Sequence, residues 1–365
     1  GKVHYFYTGN VKHFDRDDYD YVLTGRDQNQ IHMVTDNPDE LGEKRLAVGP
    51  LDYPDDIGTH VRDPKILEHD GVYYMVLGAR TKDDRGCVLV FTSCDLESWK
   101  YATRIELDEK FGFMWECPDL FELDGELVLV CCPQGVPAEG WRYHNPHQCV
   151  WFCIEADWEA PSFKVVDQGM PPMVDAGFDF YAPQSFEDNE GRRLMIGWVG
   201  CPDATVENPT VERGWQCALT VPRQLSMHDG KLCQWPAREL EKLRGDCAHV
   251  HAGETVAEPG RLFDAVISCE GAKTVELEIR EGVTVRFADG KLTLDMGVEG
   301  YGREVRSVEI GELHDLRVLS DTTLVEIFAN GGETALTSRT YSPAASTIRL
   351  LVEGTASMKF YRLAK

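Results

Sequence analysis

Three stretches of the chain carry one pattern of apolar and polar positions. In RDPKILEHDGVYYMVLG (62–78), ECPDLFELDGELVLV (116–130) and YAPQSFEDNEGRRLMIGWVG (181–200), two residues precede a proline. A short strand pattern follows, then an acidic turn ending in glycine and a strongly apolar run. Pro64, Pro118 and Pro183 fall in register, as do Gly71, Gly125 and Gly191. Each unit predicts a β-hairpin. Further strands are predicted downstream at CVLVFTSCDLESW (87–99), CVWFCIEADW (149–158) and CALTVPRQLSM (217–227). The repeat is all-β and roughly 55 to 65 residues long, a little above the usual blade repeat of about 40 to 50. Four-stranded blades around a central channel account for it better than a sandwich, or than a solenoid with its shorter, more uniform repeats.

The first residues fit the same register. GKVHYFYTGN (1–10) matches the second strand of the hairpin, with Gly1 in the place of Gly71, Gly125 and Gly191. The sequence is therefore expected to begin in the middle of a blade. Beyond Trp235, PARELEKLRG (236–245) has helix-forming residues between Pro and Gly and reads as a connector. Residues 246–365 return to β pattern. VTVRFADGKLTLDMG (283–297) and TLVEIFANGGETALTSRTY (323–341) alternate around Asp289-Gly290 and Asn330-Gly331-Gly332 turns, as in a β-sandwich. The expected organisation is a partial propeller over 1–235, a connector over 236–245 and a sandwich over 246–365.

Composition narrows the function. No apolar run reaches the roughly 18 residues of a membrane span, and the N-terminus has no signal-peptide pattern. Lys plus Arg is 37 against 62 Asp plus Glu, a net charge of -25, which argues against nucleic acid and anionic membrane partners. The twelve cysteines include Cys131-Cys132, adjacent in a predicted strand and so on opposite faces. They read as reduced, buried thiols, which places the chain in the cytoplasm. No pair has zinc-site spacing, and His144 with His147 reads as loop chemistry, so no metal and no cofactor is expected. The oligomeric state has no signature in the sequence.

In a propeller the innermost strand of every blade starts beside the axis, so aligned positions converge. The residues before the three prolines are Arg62-Asp63, Glu116-Cys117 and Tyr181-Ala182. Singly, each also fits a strand-end residue satisfied by neighbouring backbone. Jointly, a guanidinium, two carboxylates and a phenol furnish a site for a small sugar. Glu116, between Met114, Trp115, Cys117 and Pro118, must be paired or must hold its proton near neutral pH.

RDP at 62–64, WECPDLF at 115–121, FDFYAPQ at 178–184 and GWVG at 197–200 resemble, in order and spacing, the motifs of the invertase and β-fructosidase enzymes of glycoside hydrolase family 32. EIFANGGETALTSR (326–339) is similar to that family's C-terminal domain. The resemblance implies a five-bladed β-propeller followed by a β-sandwich, and retaining hydrolysis of β-fructofuranosides such as sucrose, sucrose 6-phosphate or short fructo-oligosaccharides. By the same resemblance, Glu116 is the general acid/base and Asp63 the transition-state stabiliser. Arg62, Tyr181 and Trp198 line the fructose subsite, and Cys117 sits behind the acid. An arabinanase or xylosidase on a similar propeller would not explain WECPDLF or the sandwich. PAEGWRYHNPHQ (137–148) is similar to intracellular bacterial sucrose and sucrose-6-phosphate hydrolases, with Arg80, Arg142 and His144 as candidates for a phosphate.

The family's Asn-Asp-Pro-Asn-Gly nucleophile motif and its Phe-Ser-Gly segment have no counterpart in residues 1–365. The resemblance thus implies that the first blade and part of the second lie upstream. It also implies that these residues alone form an inactive fragment of a competent enzyme, the alternative being a sugar-binding relic that has lost its chemistry.

Overall fold

The computed structural model describes residues 1–166, 169–216 and 218–364. They form two compact units, one of Gly1–Pro137 with His147–Pro172 and one of Ala138–Pro146 with Met173–Lys365.

The first unit holds three antiparallel meanders. β1 (Val3–Lys12), β2 (Arg26–Thr35) and β3 (Arg45–Val48) make a three-stranded sheet. β4 (Ile57–His69), β5 (Val72–Thr81), β6 (Gly86–Ser93) and β7 (Lys100–Ile105) make a four-stranded one. β8 (Met114–Leu123), β9 (Glu126–Gln134), β10 (Val150–Asp157) and β11 (Ser162–Val165) repeat it. Asp70-Gly71 and Asp124-Gly125 turn the β4–β5 and β8–β9 hairpins with both residues at positive φ, the conformation that matches a two-residue turn to strand twist. β5 is buried over most of its length because both of its faces are covered, which is why its sequence is almost unbroken apolar. Met75, Leu77 and Ala79 of β5 join Val48, Ile57, Val61, Leu89 and Phe91 in one core cluster. A Cβ on Gly78 would lie 2.2 Å from the Trp115 carbonyl oxygen, so β5 and β8 meet backbone to backbone there. No larger residue fits.

The second unit contains β12 (Tyr181–Glu187), β13 (Arg193–Trp198), β14 (Arg223–His228) and β15 (Lys231–Pro236), again a four-stranded meander. The strand predicted over 217–227 is shorter than expected: it starts at Arg223, and Leu219 makes only an isolated bridge to Trp198. Pro222 has no N–H to donate, so the ladder begins after it. Cys217 lies outside the described residues. Within 236–245, Arg238–Leu243 forms a 3₁₀ helix.

The sandwich follows in the same unit. A six-stranded sheet runs Arg244–His251, Ser357–Leu363, Phe263–Ser268, Asp315–Ser320, Leu324–Ala329, Thr334–Arg339. A five-stranded sheet runs Val305–Glu309, Lys291–Asp295, Val283–Ala288, Thr274–Arg280, Leu351–Glu353. Their inward residues, among them Ile267, Leu277, Val285, Leu294 and Ile327, share one core, against which Trp141 of the 138–146 segment packs. No helix among the described residues is long and apolar enough to cross a membrane.

Candidate active site

The three aligned prolines do the same thing to the backbone. Pairing register slips between Arg62 and Lys65, between Glu116 and Asp119 and between Tyr181 and Gln184, so each hairpin has a bulge at its Pro. The residue before each Pro sits at positive φ: Asp63 at 63°, Cys117 at 49° and Ala182 at 47°. Such a conformation costs a non-glycine residue on the order of 1 to 3 kcal/mol. Its recurrence at three equivalent positions marks a device that aims side chains at strand starts.

In the first unit, the bulges of β4 and β8 bring Arg62, Asp63, Glu116 and Cys117 together. Arg62 donates to Glu116 Oε1 from Nε at 2.9 Å and from Nη2 at 2.6 Å. Gln134, at the end of β9, donates to Glu116 Oε2 at 2.8 Å. Of the two states the sequence left open for Glu116, paired or protonated, the structure shows the paired one. Asp63 does not take Arg62 in a hydrogen bond; its Oδ2 accepts the Cys117 N–H at 2.9 Å. Burial raises the proton affinity of Asp63 above the usual carboxylate value, against the pull of the Cys117 N–H and of Arg62. Trp115 is fully buried, stacked on Phe152 at 5.4 Å, with its Nε1–H on the Phe111 carbonyl at 2.8 Å. It anchors β8 directly before Glu116.

Behind the acid, the Cys117 thiol interacts with that of Cys132 on β9, and Cys132 with Cys149 just before β10. The contact with Cys132, then burial, push the Cys117 thiol well up. No disulfide joins two of the described cysteines.

In the second unit, Tyr181 and Trp198 face each other as a register pair of β12 and β13, Tyr181 buried and Trp198 half-buried. Of the phosphate candidates, Arg80 is occupied by Asp84 through Nε at 2.9 Å and Nη2 at 2.6 Å. His144 gives its Nε2–H to the Gly140 carbonyl at 2.8 Å. Arg142 lies over the Trp141 ring at 4.3 Å, with no carboxylate partner among the described residues.

Residues 1–236 match the model of the glycosyl hydrolases family 32 N-terminal domain, and residues 240–364 match that of the family's C-terminal domain. The chain belongs to glycosyl hydrolase family 32. The sucrose-6-phosphate hydrolase of Salmonella typhimurium is 38% identical over 356 residues, which cover 93% of this chain and 70% of that protein. The sucrose-6-phosphate hydrolase of Bacillus subtilis is 35% identical over 355 residues, 93% of this chain and 71% of its own. Among solved structures, sucrose-6-phosphate hydrolase from Lactobacillus gasseri superposes with a TM-score of 0.86 at 25% identity, covering 100% of this chain and 76% of that one. The family 32 β-fructofuranosidase of Bombyx mori gives 0.82 at 27%, covering 100% and 77%. The fold is a β-propeller joined to a β-sandwich.

Around the Arg62–Glu116 pair of this family 32 chain lies a shell that sequence reasoning did not find. Arg62 Nη1 reaches His60 Nδ1 at 3.0 Å and Gln28 Oε1 at 3.4 Å. Gln28 Oε1 also accepts the Val61 N–H at 2.7 Å. The Asp63 N–H donates to Thr8 Oγ1 at 3.0 Å, and Thr8 donates to Gln30 at 2.8 Å. Gln28 and Gln30 alternate inward on β2, buried at 4% and 0% exposure. Two glutamines two apart on the buried face of a strand were the available signal.

A guanidinium only donates, so His60 Nδ1 must accept, and its Nε2–H goes to the Tyr21 carbonyl at 2.9 Å. His60 is therefore neutral, its pKa lowered from 6.5 to about 4 chiefly by burial. With the folded value depressed, its contribution to stability is present above about pH 6.5 and is lost as pH falls toward about 4. The melting temperature of the parent is expected to fall across that window, and less steeply in His60→Gln. Equal slopes for the two proteins would contradict this assignment.

Proposed function

We propose that this protein hydrolyses the β-fructofuranosidic bond of sucrose 6-phosphate in preference to that of sucrose. It is a glycosidase of the β-fructofuranosidase class. In this reading the propeller region, residues 1–235, carries the chemistry and the sandwich, 246–365, supports it. Glu116 donates its proton to the leaving glycosidic oxygen and then activates water as base. Asp63 holds fructosyl hydroxyls while positive charge develops on the ring. Arg62, Tyr181 and Trp198 line the fructose subsite, and Cys117 supports the acid through its backbone contact with Asp63. The described cysteines, with no disulfide between any two of them, fit a reducing, cytoplasmic setting.

The observation that carries the substrate is the kinship with two sucrose-6-phosphate hydrolases at 38% and 35% identity over 93% of the chain. Arg142, the one phosphate candidate whose side chain makes no hydrogen bond among the described residues, supplies a cation for the anionic leaving group. The test compares kcat/KM for sucrose 6-phosphate and sucrose in the complete enzyme, with the upstream residues that the resemblance implies. A preference for the phosphorylated sugar of at least about tenfold, carried mainly by KM, is expected for one charge-assisted contact. Equal or reversed preference would leave a β-fructofuranosidase of unphosphorylated sugars.

A further inference from the structure

The segment leading into Tyr181 is held by its own sheet, where Arg223 Nη1 donates to Asp175 Oδ2 at 3.0 Å, and more extensively by the sandwich. Residues 175–180 lie along the sandwich strand Thr334–Arg339, with the Ala176 N–H on the Ala335 carbonyl at 2.9 Å and the Asp179 N–H on the Thr337 carbonyl at 3.0 Å. Two buried carboxylates fasten it. Asp175 accepts the Thr337 N–H at 2.8 Å and its hydroxyl at 2.6 Å. Asp179 takes a two-pronged grip from Arg303, Nε at 2.6 Å and Nη2 at 2.7 Å, and the Arg339 N–H at 2.8 Å. Between them, a Cβ on Gly177 would lie 2.1 Å from the Thr337 carbonyl oxygen, so the two backbones touch.

Asp179 and Arg303 are 2% and 1% exposed. A buried ion pair is a poor source of stability, because an apolar replacement of equal volume is commonly as stable or more so. What a fully satisfied carboxylate–guanidinium fork supplies is one permitted geometry. Asp179 is two residues from Tyr181, at most about 7 Å along the chain. A displacement of the clamp therefore reaches the phenol almost undiminished.

We infer that Asp179 and Arg303 are positioning residues for the fructose subsite, through which the sandwich sets the place of Tyr181. This rests on the reading of Tyr181 as a subsite residue. The experiment measures, in the complete enzyme with its upstream residues, the dissociation constant of free fructose, KM and kcat for sucrose 6-phosphate, and the melting temperature. Asp179→Asn and Arg303→Lys are compared with Asp264→Asn. The latter breaks a fork of similar burial, from Arg317 to Asp264 at 3.0 and 2.9 Å, that leads to no subsite residue.

Asp179→Asn is expected to weaken fructose binding by about ten- to a hundredfold, the scale of a misplacement near 1 Å. Tyr181→Phe added to it should cost little more. Arg303→Lys keeps the charge, loses the fork and should behave alike, which covers the case in which Asp179→Asn fails to fold. Asp264→Asn should lower the melting temperature and leave fructose binding alone. The inference is overturned if the clamp variants bind fructose like the parent, if Asp264→Asn matches their loss, or if Tyr181→Phe keeps its full effect in the Asp179→Asn background. Should Tyr181→Phe by itself leave fructose binding unchanged, the subsite reading falls and takes the inference with it. If Tyr181→Phe weakens binding and the clamp variants do not, the inference alone falls.

Discussion

In the complete enzyme, Glu116→Gln is expected to lower turnover of sucrose 6-phosphate by on the order of 10² to 10⁴, the range for a general acid/base group. The substitution keeps the side chain's size and the Oε1 acceptor that receives both bonds of Arg62. On the other side, Gln134 donates to Oε2, where the mutant has an amide; Gln134 can turn its own amide and offer oxygen instead. The pair is 16% and 15% exposed, so removing the negative charge from beside Arg62 costs stability, about 1 to 3 kcal/mol for a charged hydrogen bond. The fold survives that and the proton donor does not. An aryl fructoside whose leaving group departs without protonation should recover much of its first step in the mutant. Turnover of sucrose 6-phosphate within a few fold of the parent would make Glu116 a structural carboxylate, tied between Arg62 and Gln134 for the sake of the β4–β8 contact.

In the complete enzyme, Asp63→Asn is expected to reduce kcat by on the order of 10² or more, as for loss of a preorganised group facing transition-state charge, with a smaller change in KM. Its stability should move the other way. Burial raises the proton affinity of Asp63, so the ionised form is costly in the folded protein at neutral pH. The sign follows: stability is lost as pH rises above the ordinary carboxylate value, and a neutral Asn removes that loss. Asn accepts the Cys117 N–H through its Oδ1 and tolerates φ of 63°, so backbone and bulge persist. The melting temperature should therefore hold or rise while kcat collapses. A variant that keeps kcat and melts much earlier would mean that Asp63 serves the propeller and never meets the sugar.

The hairpins and the proline register at their first strands were legible before any coordinates, because their causes are local. Strand alternation has a period of two residues, Asp-Gly turns need only their own backbone, and a proline stops the ladder wherever it stands. Alignment of Pro64, Pro118 and Pro183 was enough to pick out Arg62, Asp63, Glu116 and Tyr181. The start of β14 was missed because an apolar run, CALTV, outweighed the proline that follows it.

The partners were another matter. Chain order sets Arg62 beside Asp63, yet the guanidinium goes to Glu116, 54 residues away. Gln134 stands at the end of an apolar strand, where a polar residue is unremarkable, and only the β8–β9 register sets it against the acid. Likewise FDFYAPQ showed Asp179 as one more acidic residue before Tyr181; Arg303 lies 124 residues later. The sequence alone determined where the hairpins turn and which residues precede the three prolines, since both follow from rules acting over a few neighbours. Only the tertiary structure decided which charge each of them meets, because a hydrogen bond is settled at a range of about 3 Å that distance along the chain does not encode.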